Sequence, residues 1–230
     1  MASLKSPREI LKERGRVPVF PLPNVVFFPN TTLPLHIFEP RYRQMMRDAL
    51  DSDRLIAVAL LKPGWERGYY GNPEVFPVAC AGVIEDEAAL PDGRFNIRLR
   101  GLARVEIVRF VQDTPYRVAE VRVLEERNAG EGPGLDAEKR RLLAACTSLL
   151  QATSGRQAYA PMLESGVPLD AVVNTLCLNL AMEAETKQGL LAMGDVRERC
   201  GALIDILNRQ WREIALRQAE RDGTPEGDVH

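Results

Sequence analysis

A chain of 230 residues has room for one large or two small domains, and 45% hydrophobic with 27% charged residues is the make-up of a folded protein rather than a disordered one. The formal charge of −2 supplies no overall attraction for nucleic acid or anionic lipid. Four cysteines (Cys80, Cys146, Cys177 and Cys200) lie far apart in apolar runs without CxxC spacing, and with only His36 and His230 to join them no tetrahedral metal set is expected. They read as reduced, buried small hydrophobes.

The N-terminus lacks the apolar region of a signal peptide, and no run is long enough to span a bilayer, so a cytoplasmic protein is expected. Ser6-Pro7-Arg8-Glu9 has the form of a capping box with proline at the first helical position, which predicts a two-turn helix within an N-terminal extension, residues 1–16. From Val17 to about Glu126 the apolar runs are short, β-branched and broken by Gly and Pro. This predicts a β-domain over residues 17–127. Pro18, Pro21, Pro23 and Pro29 remove ladder donors, as in edge or irregular β-segments. A helix opens at Glu39-Pro40-Arg41-Tyr42, with Tyr42, Met45, Met46 and Leu50 on one face. Leu55 to Leu61 is a continuous apolar run, the pattern of a strand buried on both faces.

Val78 to Leu90 and Arg94 to Arg100 flank Pro91-Asp92-Gly93 and read as a hairpin. Strict alternation from Phe95 to Arg100 gives that strand one buried and one wet face. Val105 to Phe110 and Tyr116 to Leu124 supply two more strands in a largely antiparallel structure. The period then changes. Residues 128–135 are polar and Gly-rich, a linker, and residues 136–221 carry helical stripes. Leu142, Leu143, Cys146, Leu149 and Leu150 mark one helix. Leu169, Val172, Val173, Leu176 and Leu180 mark a second, Glu185 to Met193 holds a short third, and the longest starts at Asp195. Its stripe runs from Val196 to Ile214, and its far end is expected to be exposed. Residues 222–230 read as a disordered tail.

Catalytic signatures are missing from the sequence: no phosphate loop, GxGxxG, HExxH or GxSxG occurs. A triad would have to use His36, which stands in an apolar setting and reads as a strand histidine tucked against the core edge. No catalytic residue, metal site or cofactor is expected.

The run Val17-Pro18-Val19-Phe20-Pro21-Leu22-Pro23-Asn24-Val25-Val26-Phe27-Phe28-Pro29, followed by Leu33-Pro34-Leu35-His36-Ile37-Phe38-Glu39-Pro40-Arg41-Tyr42-Arg43, closely resembles the opening of the Lon protease N-terminal domain. Gly82-Val83-Ile84, Asp92-Gly93-Arg94, Gly101-Leu102-Ala103-Arg104 and Pro115-Tyr116 follow in that family's order, and the resemblance extends to about Leu207. It implies an α+β fold: a PUA-like twisted β-barrel or sheet domain, then an α-helical bundle with a long C-terminal helix. In the full protease such a domain recognises protein substrates and helps to assemble the ring. The family's phosphate loop and Ser-Lys dyad have no counterpart here, so the resemblance implies a stand-alone, non-enzymatic member.

The expected partner is an unfolded or partly folded protein or peptide. Trp65, Tyr69 and Tyr70, in the Gly- and Pro-rich stretch from Lys62 to Pro77, are candidate anchors, or else rings that cover the mouth of the β-domain. Phe27 and Phe28 are adjacent, so in an extended segment one ring must face away from the core. Trp211 lies toward the far end of the last helix and suggests a partner surface or a homo-oligomer. Arg94, Arg98, Arg100 and Arg104 form a basic cluster that raises RNA binding as an alternative, though nucleic acid is the less expected partner and a charged strand face is usually just solvated. A hydrolase with an unrecognised site is the remotest reading.

Overall fold

In the computed structural model, which describes residues 5–69, 71–130, 134–152 and 167–222, the first half of the chain forms six strands and two helices. Helix α1 (Pro7–Arg14) starts at the predicted capping box: Ser6 accepts the Glu9 N–H, and the Glu9 carboxylate accepts the Ser6 N–H. Strand β1 (Arg16–Leu22) and β2 (Thr32–Ile37) carry the prolines, α2 (Pro40–Leu50) follows, then β3 (Leu55–Leu60), β4 (Val78–Ala89), β5 (Phe95–Gln112) and β6 (Arg117–Val123).

The strand order is β2-β5-β4-β3-β1-β6, and β5 also pairs with β6. The pairings therefore run in a ring of five strands with β2 as an appendage, rather than in a regular barrel. Most pairs are antiparallel as predicted, but β1 and β3 are parallel. The segments Arg94–Arg100 and Val105–Phe110, expected as separate strands, are one strand, β5. It changes partners along its length: Phe95–Arg100 pair with β2, and Val105–Gln112 with β6. Gly101 permits the change. Its backbone exchanges hydrogen bonds with Asn30 and Thr31, and a Cβ there would collide with the carbonyl of Phe28.

Two cores result from the period-two alternation. Leu55, Ala57 and Ala59 of β3 point into a core shared by all five ring strands and by Leu11 of α1; six of its members are alanines, as a tight interior requires. Ile56 and Val58 point the other way, into a core with Phe20, Phe27, Tyr42, Met45, Met46, Phe95, Ile97 and Leu99 under α2. β3 is thus buried on both faces, as its unbroken apolar run predicts.

The helices are α3 (Leu135–Ala152), α4 (Leu169–Asn179), α5 (Ala184–Ala192) and α6 (Val196–Asp222). The chain divides into two compact units, and the division is not a single cut. Residues 174–194 group with residues 1–127, while 128–173 group with 195–230. Helix α5, predicted as part of the helical bundle, belongs to the β-unit, and α1, predicted as an extension, is part of it too. The cause of α5's placement is a set of buried polar contacts. Arg104, 2% exposed, donates to the carbonyls of Leu191 and Ala192 at 3.1 and 3.3 Å and to Glu126 Oε1 at 3.1 Å. Gln188 donates to the Val78 carbonyl at 2.8 Å, and on the preceding helix, α4, the fully buried Asn174 donates to that of Pro29 at 3.0 Å. A guanidinium buried without such partners would cost several kcal/mol, about 3–5, so these bonds hold α5 in place.

In the second unit α3 and α6 pack along one another, with Leu142, Leu143, Cys146 and Leu149 of α3 and Cys200, Leu203, Ile204 and Leu207 of α6 buried. Asp195 caps α6 by accepting the N–H groups of Arg197 and Glu198. Of the predicted tail, residues 222–230, Asp222 ends α6, and the rest lies outside the described residues, as do residues 131–133 of the predicted linker.

Candidate functional site

Within the β-unit, one loop is built differently from the rest. It leaves β3 at Leu61, forms a single 3₁₀ turn at Trp65–Gly68, and returns to β4 at Val78. It is tied at its base by backbone bonds between Lys62 and Glu74 and between Phe76 and Leu60. Gly64, with φ of +87°, makes the sharp entry that a side chain would strain.

The Glu39-Pro40-Arg41-Tyr42 corner holds this loop from outside. Glu39 is the N-cap residue of α2, yet its carboxylate caps nothing there. It accepts the Tyr69 hydroxyl at 2.6 Å and the Arg41 Nε at 3.1 Å. Arg41 in turn donates to the Tyr69 carbonyl at 3.3 Å and lies over the rings of Tyr42 and Tyr69, 4.6 and 5.5 Å from their centroids. Arg117 donates to the Pro73 carbonyl at 2.8 Å on the loop's return path. The bond to Glu39, followed by burial, raises the Tyr69 pKa, and burial pushes Tyr42 up to about 12. The void between Arg41, Tyr42 and Arg117 is about 20 Å³, room for one water and no ligand. This corner is a fastening. It orients Trp65, whose ring meets that of Tyr69 edge-on at 5.6 Å.

Beside Trp65 lies an open cleft of about 380 Å³. Leu60 and Leu61 with Pro23 and Asn24 line its floor, and Pro63 and Trp65 form one wall. The other wall is Glu183, Ala184 and Glu185, the start of α5. The cleft exists because Arg104 and Gln188 fix α5 on one side and Glu39 and Arg41 fix the loop on the other. Sequence reasoning singled out Trp65 but missed Glu183 and Glu185. Nothing in their local pattern distinguishes them from any helix start.

The other candidates fall elsewhere. Tyr69 is half-buried in the fastening, and Tyr70 lies outside the described residues. Phe27 and Phe28 are both fully buried, which corrects the expectation that one ring faces outward. Their segment is not a strand, so side chains do not alternate; Phe27 fills the space over Gly82, where a Cβ would lie 2.9 Å from its ring. Neither ring is available to a partner. Trp211, on α6 of the second unit, is 42% exposed. His36 is exposed rather than tucked against the core, because β2 alternates and His36 falls on its outer face, bonded to Asn96 Oδ1 at 2.7 Å. The basic cluster is neutralised: Arg94 pairs with Asp92, Arg98 with Asp86, Arg100 with Glu85 at 2.5 Å and Arg104 with Glu126. All four cysteines are buried and unbridged, and burial raises the Cys80 thiol pKa far above its ordinary value. Among the described residues no group of His, Cys, Asp and Glu could hold a metal ion, and no helix is long and apolar enough to cross a membrane.

The β-unit is thus a ring of strands with an adherent helix and a cleft of mixed polarity beside Trp65. The chain belongs to the family of the substrate-binding domain of ATP-dependent protease La (Lon), whose model matches residues 16–209. It is 29% identical over 216 residues to the Lon protease of Parabacteroides distasonis, covering 90% of this chain and 25% of that protein, and 25% identical to Lon protease 2 of Myxococcus xanthus, covering 93% and 26%. The chain thus spans about a quarter of the length of these relatives, and the family match is to the substrate-binding domain rather than the ATPase or protease domains. Its fold is that of a Lon N-terminal domain protein from Xanthomonas campestris (TM-score 0.60, 23% identity, 83% of this chain and 97% of that one). It is also that of the N-terminal domain of a Mycobacterium avium complex Lon protease (TM-score 0.63, 17% identity, 84% and 98%).

Proposed function

We propose that this chain is a non-catalytic capture module that binds extended, apolar segments of unfolded or partly folded polypeptides in the cleft beside Trp65, in the service of protein quality control. The observation that carries this reading is the cleft itself, about 380 Å³, with a tryptophan on its wall that Tyr69 orients. An aromatic held in place loses little entropy on binding, and such side chains are the usual anchors of protein interfaces. The family supports the class of ligand, since its members are substrate-binding domains of a protease. Among the described residues histidine and cysteine form no nucleophile–base pair: His36 bonds to Asn96, and the thiols are buried.

The chain has two tryptophans, Trp65 and Trp211, so a Trp211→Phe variant leaves Trp65 as sole reporter. Titration of that variant with a carboxymethylated, unfolded model protein should shift Trp65 emission to the blue and saturate. Trp65→Ala should weaken capture by at least about tenfold, the cost of a modest hot spot, while thermal stability stays unchanged. Capture by the Trp211→Phe variant with unaltered Trp65 emission would rule out the Trp65 cleft, and loss of capture on Trp211→Phe alone would move the site to α6.

A further inference from the structure

The cleft is not evenly apolar. Its α5 wall ends in two carboxylates, Glu183 and Glu185, both exposed, and neither has an ion pair or a side-chain hydrogen bond among the described residues. This is unusual for the chain, where most carboxylates of the β-unit are paired: Glu39, Asp53, Glu74, Glu85, Glu87, Asp92 and Glu106 all meet a cation. Two lysines are close in the chain: Lys62, beside Pro63, is engaged by Glu74 at 2.8 Å, and Lys187 of α5 turns its ammonium to the Leu178 carbonyl at 2.7 Å. Glu66 and Arg67 belong to the Trp65 turn but do not line the cleft. The start of α5 carries about half a positive charge from its backbone, which offsets only a fraction of the two negative ones. The wall opposite Trp65 is therefore anionic.

We infer that the cleft selects apolar segments that carry a lysine or arginine, the aliphatic or aromatic residue lying on Pro23, Pro63 and Trp65 and the cationic head reaching Glu183 and Glu185. This deepens the capture reading and rests on it. The chemistry suits a long basic side chain in particular, because its methylene stem covers apolar surface while its head seeks a carboxylate. An acidic segment would meet two uncompensated carboxylates and be rejected, so the same pair provides both the attractive and the repulsive half of the selectivity. Arg104 holds the C-terminal end of α5 and Gln188 its middle, so the carboxylates extend from an anchored helix.

Three dye-labelled, blocked peptides test this: Gly-Ser-Leu-Lys-Phe-Leu-Arg-Leu-Ser-Gly, its counterpart with Lys and Arg replaced by Gln, and one with both replaced by Glu. Fluorescence anisotropy with the full chain should rank them basic, neutral, acidic in falling affinity. Each carboxylate is expected to contribute up to about fivefold, as an exposed ion pair does. The preference should shrink as salt is raised. Glu183→Gln with Glu185→Gln should bring the basic peptide to the affinity of the neutral one, and Glu183→Lys with Glu185→Lys should invert the ranking. Equal affinities for the three peptides, or a basic preference that survives both variants, would overturn the selectivity while Trp65-dependent binding of the neutral peptide leaves the capture reading standing. Absence of binding by all three, with Trp65→Ala indistinguishable from the parent, would overturn both.

Discussion

Two proline-flanked aromatic segments of the β-unit end in opposite places. Val25–Pro29 places Phe27 and Phe28 at zero exposure, whereas the loop around Trp65 leaves its ring on the wall of a cleft. Both are irregular and both join strands of the same unit. The difference is in what lies beneath them. Val25–Pro29 runs over Gly82 and Gly101, two positions without side chains, so backbone and rings can sink onto β4 and β5. The Trp65 loop has no such recess; it is fastened by hydrogen bonds from Arg41 and Arg117 to its carbonyls and by the Tyr69 hydroxyl, which donates to Glu39. An irregular segment becomes core where the sheet gives it room, and remains a recognition surface where polar contacts hold it from the side.

The contrast can be broken at its strongest point first. Gly101→Val places a side chain where the Phe28 carbonyl now sits, and the expected loss exceeds about 4 kcal/mol, seen as failure to fold or as a collapsed urea midpoint. A variant of near-parental stability would mean that Val25–Pro29 does not rest on β5 as described. Phe27→Ala should cost about 3–5 kcal/mol by emptying a core site, against about 0.5 kcal/mol or less for Trp65→Ala; equal costs from denaturant unfolding would erase the distinction between the two segments.

A pH series sharpens the comparison at Tyr42, which lies between the two, packed on Phe20 in the core and under Arg41 of the fastening. Burial raises its pKa to about 12, so the native state keeps a proton that the unfolded chain gives up near 10.0. Its contribution is fully present below pH 10 and is lost as pH rises to about 12, a change of at most about 2–3 kcal/mol at 1.36 kcal/mol per unit. Tyr42→Phe should flatten that alkaline slope; an unchanged slope would assign it to other groups. The smallest effect is expected from Tyr69→Phe, which removes the bond to Glu39 at a cost of about 1 kcal/mol. Hydrogen exchange should report faster opening confined to the Trp65 loop, with the core amides unaffected.

Much of the architecture could be read from residue order alone. The capping box at Ser6, the proline start of α2, the unbroken Leu55–Leu61 run and the helical stripes after Asn128 each impose a local pattern of burial, and the structure contains all four elements. The Val17–Arg43 segment was enough to suggest the family. The cleft was legible on one side only. Trp65 stands out as an aromatic in a Gly- and Pro-rich stretch, whereas Glu183 and Glu185 begin an ordinary helix. Their position depends on where α5 is anchored, to which Arg104 contributes by bonding the Leu191 carbonyl, 87 residues further along the chain.

Period, capping and turn chemistry act over a few residues, so order along the chain determined which segments are strands and helices and which faces are apolar. Long-range choices had to await the folded chain. The parallel pairing of β1 with β3, the fusion of two predicted strands into β5, the burial of both phenylalanines and the return of α5 to the β-unit all depend on free space and unpaired buried donors supplied by distant residues. A glycine without a Cβ and a guanidinium that must be satisfied are short-range facts with long-range consequences, and only tertiary packing reveals which segment each one receives.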